Sequence, residues 1–457
     1  PVKDPFVELV KGSLNTFLNA MTYSDKTVYP VASCNDKDFQ NLMHVYLDAV
    51  FYPNIYHEKK IFQQEGWHYE MEDADSPLTL NGVVYNEMKG AFSSPDEVHD
   101  REVVNSLYPD TPYGVESGGD PKVIPTLSYE QFLDFHRRYY HPSNSYLYLY
   151  GNMDMAEKLD WIDAHYLSRF DKLEIDSALR TQAAFEKPVE TSKEYPIMEG
   201  ESLEDNTYLS YNTVVGTSLD KELYYAMEIL EYALCSASAA PLKLALIHKN
   251  IGTEVYSVYN NGIYQPYFSI VAKNANASQK EEFVQTIEEE LARIVKEGID
   301  KKSLLAGLNY YEFRYREADF GSYPKGLMYG LQMLDSWLYD DRMPFDMIEA
   351  IEIFKDLKEK INTDYYEKLI EKYLIKNQHK SILVVAPKEG LTAKDEKELA
   401  DSLAAYKAGL SEEELAQIVA DTKALRAYQE EEDTPEKLAL IPMLKREDMK
   451  KEAEDFV

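Results

Sequence analysis

Cysteine is nearly absent: Cys34 and Cys235 are the only two in 457 residues. A disulfide framework has nothing to build on, and the cytoplasm or another reducing compartment is the expectation. Long apolar runs are missing too. No stretch approaches the ~20 apolar residues of a membrane helix, and segments such as 381–387 have the length of buried strands, so no membrane partner is expected. Positive charge is scarce: 48 Lys and Arg stand against 81 Asp and Glu, a net charge of −33. So acidic a body repels phosphate backbones, which argues against nucleic acid as a partner. Self-contained catalytic signatures are the fourth absence: HExxH, HxxEH, CxxC, GxSxG and a P-loop do not occur. His57-Glu58 opens like a zincin motif, but position 61 is Ile61. His136 and His141 straddle a helix end and cannot share a helical face. The first residue is Pro1, so targeting is not legible. What remains is an ordinary folded composition, 44% hydrophobic and 28% charged.

What is present is a repeat, the feature to seek early in a chain of this length. A helix-like stretch after Pro5 leads into an extended pair over 19–32, and Asn35-Asp36-Lys37-Asp38 opens an amphipathic helix through Phe39, Leu42, Val45 and Val50. Later a helix over 129–140 feeds a short strand at 146–150. The same order returns about 236 to 239 residues on. Pro241 opens a helix, strands follow over 253–272, and Ser278 with Glu281 reads as a capping box. Phe283, Ile287, Leu291 and Val295 give the next helix one buried face, and Gly298 ends it. A helix over 365–373 feeds a strand at 382–385. In the second copy a strand (207–215) and a helix (223–235) precede Pro241, whereas Pro5 has only four residues before it. The first copy is therefore expected to lack one strand and one helix at its start.

Beyond the repeat, residues 392–407 read as a helix stopped by Gly409, and Ser411 with Glu414 as the capping box of a helix reaching Gln429. So short a connection makes the pair antiparallel. Residues 435–457 are charged and read as a linker. The fold class this implies is α+β. Two homologous domains, 1–190 and 191–391, each carry a mostly antiparallel sheet with helices packed on one face, and a helical hairpin with its linker occupies 392–457.

One carboxylate stands out. Residues 81–92 read as a helix on which Glu87 falls four after Val83, three before Gly90 and four before Ala91. That face is apolar or small, and a carboxylate there needs a cation, a donor or a metal. A structural ion pair or a solvent-facing Glu satisfies the same pattern.

Several long motifs in order resemble one family. They are Pro1-Val2-Lys3-Asp4-Pro5-Phe6-Val7-Glu8-Leu9 through Asn19-Ala20-Met21-Thr22; Gln64-Glu65-Gly66-Trp67-His68-Tyr69-Glu70; and Gly82-Val83-Val84-Tyr85-Asn86-Glu87-Met88-Lys89-Gly90. Gly119-Asp120-Pro121 and Tyr139-Tyr140-His141-Pro142-Ser143-Asn144 to Gly151-Asn152 continue the match, and Leu440-Ile441-Pro442 echoes it. Together they resemble the presequence-protease branch of the insulinase/pitrilysin zinc metallopeptidases.

The resemblance implies a Zn2+ site in the intact protein, held by two His of an HxxEH helix and by a later Glu, which the match places at Glu87. The HxxEH helix, with its general-base Glu, would lie upstream of Pro1, so no catalytic residue is expected in this chain. Two imidazoles and a carboxylate leave zinc an open position for water, which the base deprotonates for attack on a peptide carbonyl. The resemblance also puts Asn19 and Ala20 on the edge strand where an extended oligopeptide substrate adds as a β-strand. It implies a C-terminal half of the same protein as partner, joined through the hairpin, in a monomer whose halves enclose short unfolded peptides. The expected function is the N-terminal half of a zinc endopeptidase, inactive as this chain alone. The rival is a non-catalytic peptide-binding subunit of the same fold. His68, His136 and His141 are expected to be structural.

Overall fold

The structure is a computed structural model describing residues 2–449 and 451–452. In chain order its first part carries α1 (Pro5–Gly12), β1 (Asn15–Leu18), β2 (Met21–Thr22), β3 (Thr27–Val28), β4 (Val31–Ser33), α2 (Asp36–Phe51), α3 (Lys59–Glu65), β5 (His68–Glu70), β6 (Thr79–Asn81), α4 (Val83–Ala91), α5 (Pro95–Leu107), α6 (Tyr129–Tyr139) and α7 (Met155–His165). There follow β7 (Val189–Ile197), β8 (Thr207–Val214), α8 (Lys221–Glu231), α9 (Pro241–His248), β9 (Glu254–Asn260), β10 (Tyr267–Ala275), α10 (Lys280–Glu297), α11 (Lys301–Glu317), α12 (Lys325–Trp337), α13 (Ile351–Lys360), α14 (Tyr365–Leu369) and β11 (Lys380–Glu389). Last come α15 (Leu391–Ala408), α16 (Glu412–Glu430) and the short α17 (Pro435–Leu438).

The later strands form one five-stranded sheet, ordered β7-β11-β8-β10-β9. Only the β7–β11 pairing is parallel. One face carries α8, α10, α11 and α13, whose Leu230, Leu291, Leu308 and Phe354 share a core with Leu209 and Ile270. The opposite face is covered by α5 from the first part, through Val98, Val103, Leu107 and Tyr108 against Val214, Val271, Leu383 and Val385. Helices of the sheet's own unit thus lie on one face, as the patterning predicts, while a neighbour covers the other. Every residue of β8 is buried in consequence. Its polar side chains pair within the sheet: Asn212 Nδ2 donates to Ser210 Oγ at 3.0 Å and to the Ser381 carbonyl at 3.3 Å, and Ser269 Oγ donates to Asn212 Oδ1. Such pairing removes the cost of burying them.

The first part departs from expectation. Its strands are two short antiparallel ribbons, β1–β4 and β2–β3, with β5–β6 as a third. Residues 146–150, predicted as a strand, pair with no strand. The complete sheet shows why. Its central strand β8 bonds β11 on one side and β10 on the other, and no counterpart stands between 146–150 and the β3–β4 arm among the described residues. The segment nevertheless keeps strand-like alternation. Tyr146 packs on Trp337, ring centroids 4.5 Å apart, Tyr148 and Tyr150 close over Gly330 and Gly326 of α12, and Leu149 faces Met43, Leu47 and Ile162.

Three smaller expectations also change. Helix α10 is capped through Asn276 and Gln279, whose short 3-10 turn supplies the box placed by sequence at Ser278 and Glu281. The stretch Lys221–His248 has the length and hydropathy of a membrane-spanning helix, which a count of unbroken apolar runs does not detect. It is interrupted by extended backbone at Ala237 and Ala240, and Leu223, Leu230, Leu242 and Leu246 are buried in the sheet's core. Residues 435–449 are not a free linker: Leu438, Ile441 and Met443 pack with Val2, Phe6, Leu9 and Val45. The hairpin itself follows its sequence signals. The Ser411–Glu414 capping box forms and Gly409 closes α15.

Candidate functional site

Helix α4 begins where it does because of Gly82. Its φ is +152°, and an added Cβ would collide with the Gly66 carbonyl oxygen. Only glycine lets the chain pass so close to the Gly66-Trp67 backbone. The Tyr85 N–H then donates to the Gly66 carbonyl at 3.3 Å, and Asn81 Oδ1 accepts from the Gly82 N–H at 2.8 Å and from Asn86 Nδ2 at 2.7 Å. Tyr85 and Met88 anchor the helix by burial beside Ile124. Arg101 lies over the Phe92 ring at the far end, 3.6 Å from its centroid.

Glu87 sits on the opposite face, exposed. Val83 is 52% exposed, and a Cβ added at Gly90 would meet nothing within 4 Å. The small-residue face read from the sequence therefore exists but is open to solvent. The expected buried carboxylate is a free one, with no hydrogen bond or ion pair among the described residues. No group of three or more His, Cys, Asp or Glu that could hold a metal occurs among the described residues. This donor set does not hold zinc by itself. A lone unpaired carboxylate on a rigid, uncovered helix face fits one ligand of a site completed from elsewhere.

Asn19 and Ala20 are exposed at the step between β1 and β2. The Asn19 N–H donates to the Pro30 carbonyl at 3.3 Å, Tyr46 Oη donates to the Asn19 carbonyl at 3.2 Å, and the Ala20 N–H donates to Asn19 Oδ1 at 2.8 Å. The position is an outer edge, and the Asn19 side chain covers part of its hydrogen-bonding capacity. No hydrogen bond or ion pair joins this edge to Glu87 among the described residues.

The ribbon's tip is bolted down by residues that sequence reading passed over. Asp25, 1% exposed at its side chain, accepts from Tyr113 Oη at 2.6 Å and Tyr339 Oη at 2.7 Å and pairs with Lys26 at 3.1 Å. Lys26 Nζ also donates to the Gly262 carbonyl at 3.3 Å. Nearby, burial pushes Asp335 up to about 7, although Tyr224 Oη donates to it at 2.9 Å. Burial likewise pushes Glu228 up to about 7, against the Asn261 amide that donates to it at 2.9 Å. In the sequence, Ser24-Asp25-Lys26 reads as an ordinary surface turn. Only the docking of the second sheet buries it.

The histidines serve structure. His136 spans the Val50 carbonyl at 3.0 Å and Tyr56 Oη at 2.8 Å, and burial lowers its pKa. His68 Nδ1 meets the Gln63 carbonyl at 2.6 Å, and His141 Nδ1 accepts the Ser143 N–H at 3.1 Å.

A largely antiparallel sheet with stacked helices, preceded by a similar order of elements and followed by a helical hairpin, is the fold of the M16-like peptidases. It is similar to the peptidase M16 inactive domain from Pseudomonas fluorescens (TM-score 0.60, 17% identity, 83% of each chain). The first half of the periplasmic protease PqqL from Escherichia coli is similar too (TM-score 0.55, 16% identity, 89% of this chain and 80% of that one). Residues 126–310 match the family described as Peptidase M16 inactive domain, and residues 385–457 match the family described as associated with subfamily C of the M16 peptidases. Protein HypA of Clostridium perfringens is 48% identical over 99% of this chain and 46% of its own length. Presequence protease 1, chloroplastic/mitochondrial, of Arabidopsis thaliana is 38% identical over 99% of this chain and 42% of its own. The chain belongs to the M16 peptidase family, on its presequence-protease branch, and spans somewhat under half the length of these curated relatives.

Proposed function

We propose that this chain is the N-terminal half of a zinc endopeptidase that degrades short unfolded oligopeptides. Glu87 supplies one metal ligand, and two His and a general-base Glu come from an HxxEH helix outside residues 1–457. The observation that carries this reading is the state of Glu87: a free carboxylate held on a rigid helix whose small-residue face is uncovered. Residues 1–190 and 191–391 are then copies of one domain, and the first awaits the central strand that β8 provides in the second. In that role zinc would supply Lewis-acid activation of a water. The chain's own contribution is to hold the carboxylate and to offer Asn19 and Ala20 as a pairing edge for extended peptide. The C-terminal half joins through α15–α16, and the scarcity of cysteine fits a reducing compartment.

The match of residues 126–310 to a family described as inactive favours a second reading, a non-catalytic peptide-binding subunit. One experiment separates them: zinc content and oligopeptide cleavage of the full gene product and of its Glu87→Gln variant. One zinc per molecule and cleavage, both lost in the variant, support the peptidase. Peptide binding without zinc or cleavage supports the second reading and sinks the first.

A further inference from the structure

The helical hairpin grips the ribbon that launches α4. Thr422, 2% exposed on α16, accepts the Met71 N–H at 3.1 Å, just after β5. One turn later Arg426 Nη2 donates to Glu70 Oε1 at 2.8 Å and to Glu72 Oε1 at 3.1 Å. Glu70 Oε2 in turn accepts from Asn81 Nδ2 at 2.8 Å, and Asn81 Oδ1 holds the Gly82 N–H and the Asn86 side chain. Asn86 immediately precedes Glu87. The polar chain therefore runs from α16 across both strands of the ribbon to the first turn of α4.

An apolar path runs beside it. Leu80 of β6 packs with Met71, Leu403 and Ile418 on the hairpin side and with Tyr85 and Met88 on the α4 side. Tyr69 stacks on Tyr406, centroids 5.1 Å apart, and Lys407 Nζ donates to the Ser76 carbonyl at 2.6 Å. The Arg426 guanidinium, foremost, holds the Glu70 carboxyl below the usual range, so the central link is ionised at neutral pH.

We propose that Arg426 and Thr422 are positioning residues that fix the start of α4, and with it the carboxylate of Glu87. The consequence for Glu87 rests on its reading as a metal ligand; the mechanical coupling does not. An exposed ion pair alone is worth little. Here it is one end of a chain whose other members are confined, and it works by orientation, as partners behind a metal ligand do.

The coupling is tested on this chain by hydrogen exchange of the α4 amides in Arg426→Met, Arg426→Lys and Thr422→Val. Exchange over 84–91 accelerates about tenfold in Arg426→Met and Thr422→Val and is partly restored in Arg426→Lys. Exchange in β10, remote from the hairpin, stays unchanged and shows that the fold persists. Wild-type exchange of α4 in both Arg426→Met and Thr422→Val overturns the proposal. In the full gene product, Arg426→Met weakens the zinc dissociation constant about tenfold at unchanged KM. If the wild-type product binds no zinc, the reading of Glu87 falls, and the exchange result still decides the coupling.

Discussion

Gly82 carries a constraint out of proportion to its size. With φ at +152° and the Gly66 carbonyl where a Cβ would stand, Gly82→Ala must move backbone, since no flexible side chain is there to yield. A loss of about 2–4 kcal/mol is expected from the urea midpoint, whereas Glu87→Gln, exposed and unpaired, changes stability by less than about 0.5 kcal/mol. Glu228 has the opposite character. Burial pushes its pKa up to about 7 from an ordinary value of 4.5, helped by Asp335 and Glu231 and opposed by the Asn261 amide and Arg314. Between those values the folded state binds the proton that the unfolded state has released. Its contribution to stability is complete below about pH 4.5 and is lost as pH rises through about 7. Glu228→Gln should flatten the decline in melting temperature between pH 5 and pH 8, a change worth on the order of 1–3 kcal/mol. An unaltered pH profile would remove Glu228 from this account.

Elements inherit their state from the neighbours available to pair. Residues 146–150 and β11 hold similar alternating apolar sequence, yet only β11 lies between two strands. The segment is held instead by side chains, and closely: a Cβ at Gly330 would meet Tyr148 Cδ1 at 2.9 Å. Packing of that kind orders side chains without protecting the backbone. Amide exchange should therefore be much faster over 146–150 than over 381–387, although Tyr148 and Leu149 are packed. Equal protection of the two segments would show that 146–150 has found a strand partner.

At the scale of the molecule, the net charge of −33 is spread over a body whose first part buries little strand structure of its own. Self-repulsion of this size is relieved by screening, so raising salt from about 10 to about 150 mM should raise the melting temperature. Function scales the same way. With a single unpaired carboxylate in place of a ligand set, purified residues 1–457 should show no metal-dependent cleavage of oligopeptides and only weak zinc binding in calorimetry. Metal-dependent turnover by this chain alone would defeat the proposal.

Sequence by itself determined the repeat, the hairpin and the start of α4, because caps, glycines and apolar periodicity are local signals that a helix or turn answers locally. Ser411 and Glu414 announce α16 without help from the rest of the chain. The same is true of the apolar face around Glu87, which periodicity placed correctly. Tertiary structure decided whether that face was covered, since exposure depends on which element packs above it. It also decided that 146–150 pairs with no strand, because a strand exists only when its hydrogen bonds find a partner. Asp25 became a buried anchor, and Arg426 reached Glu70 across 356 residues, for the same reason: charges in surface-like stretches acquire a role only from the surface they meet.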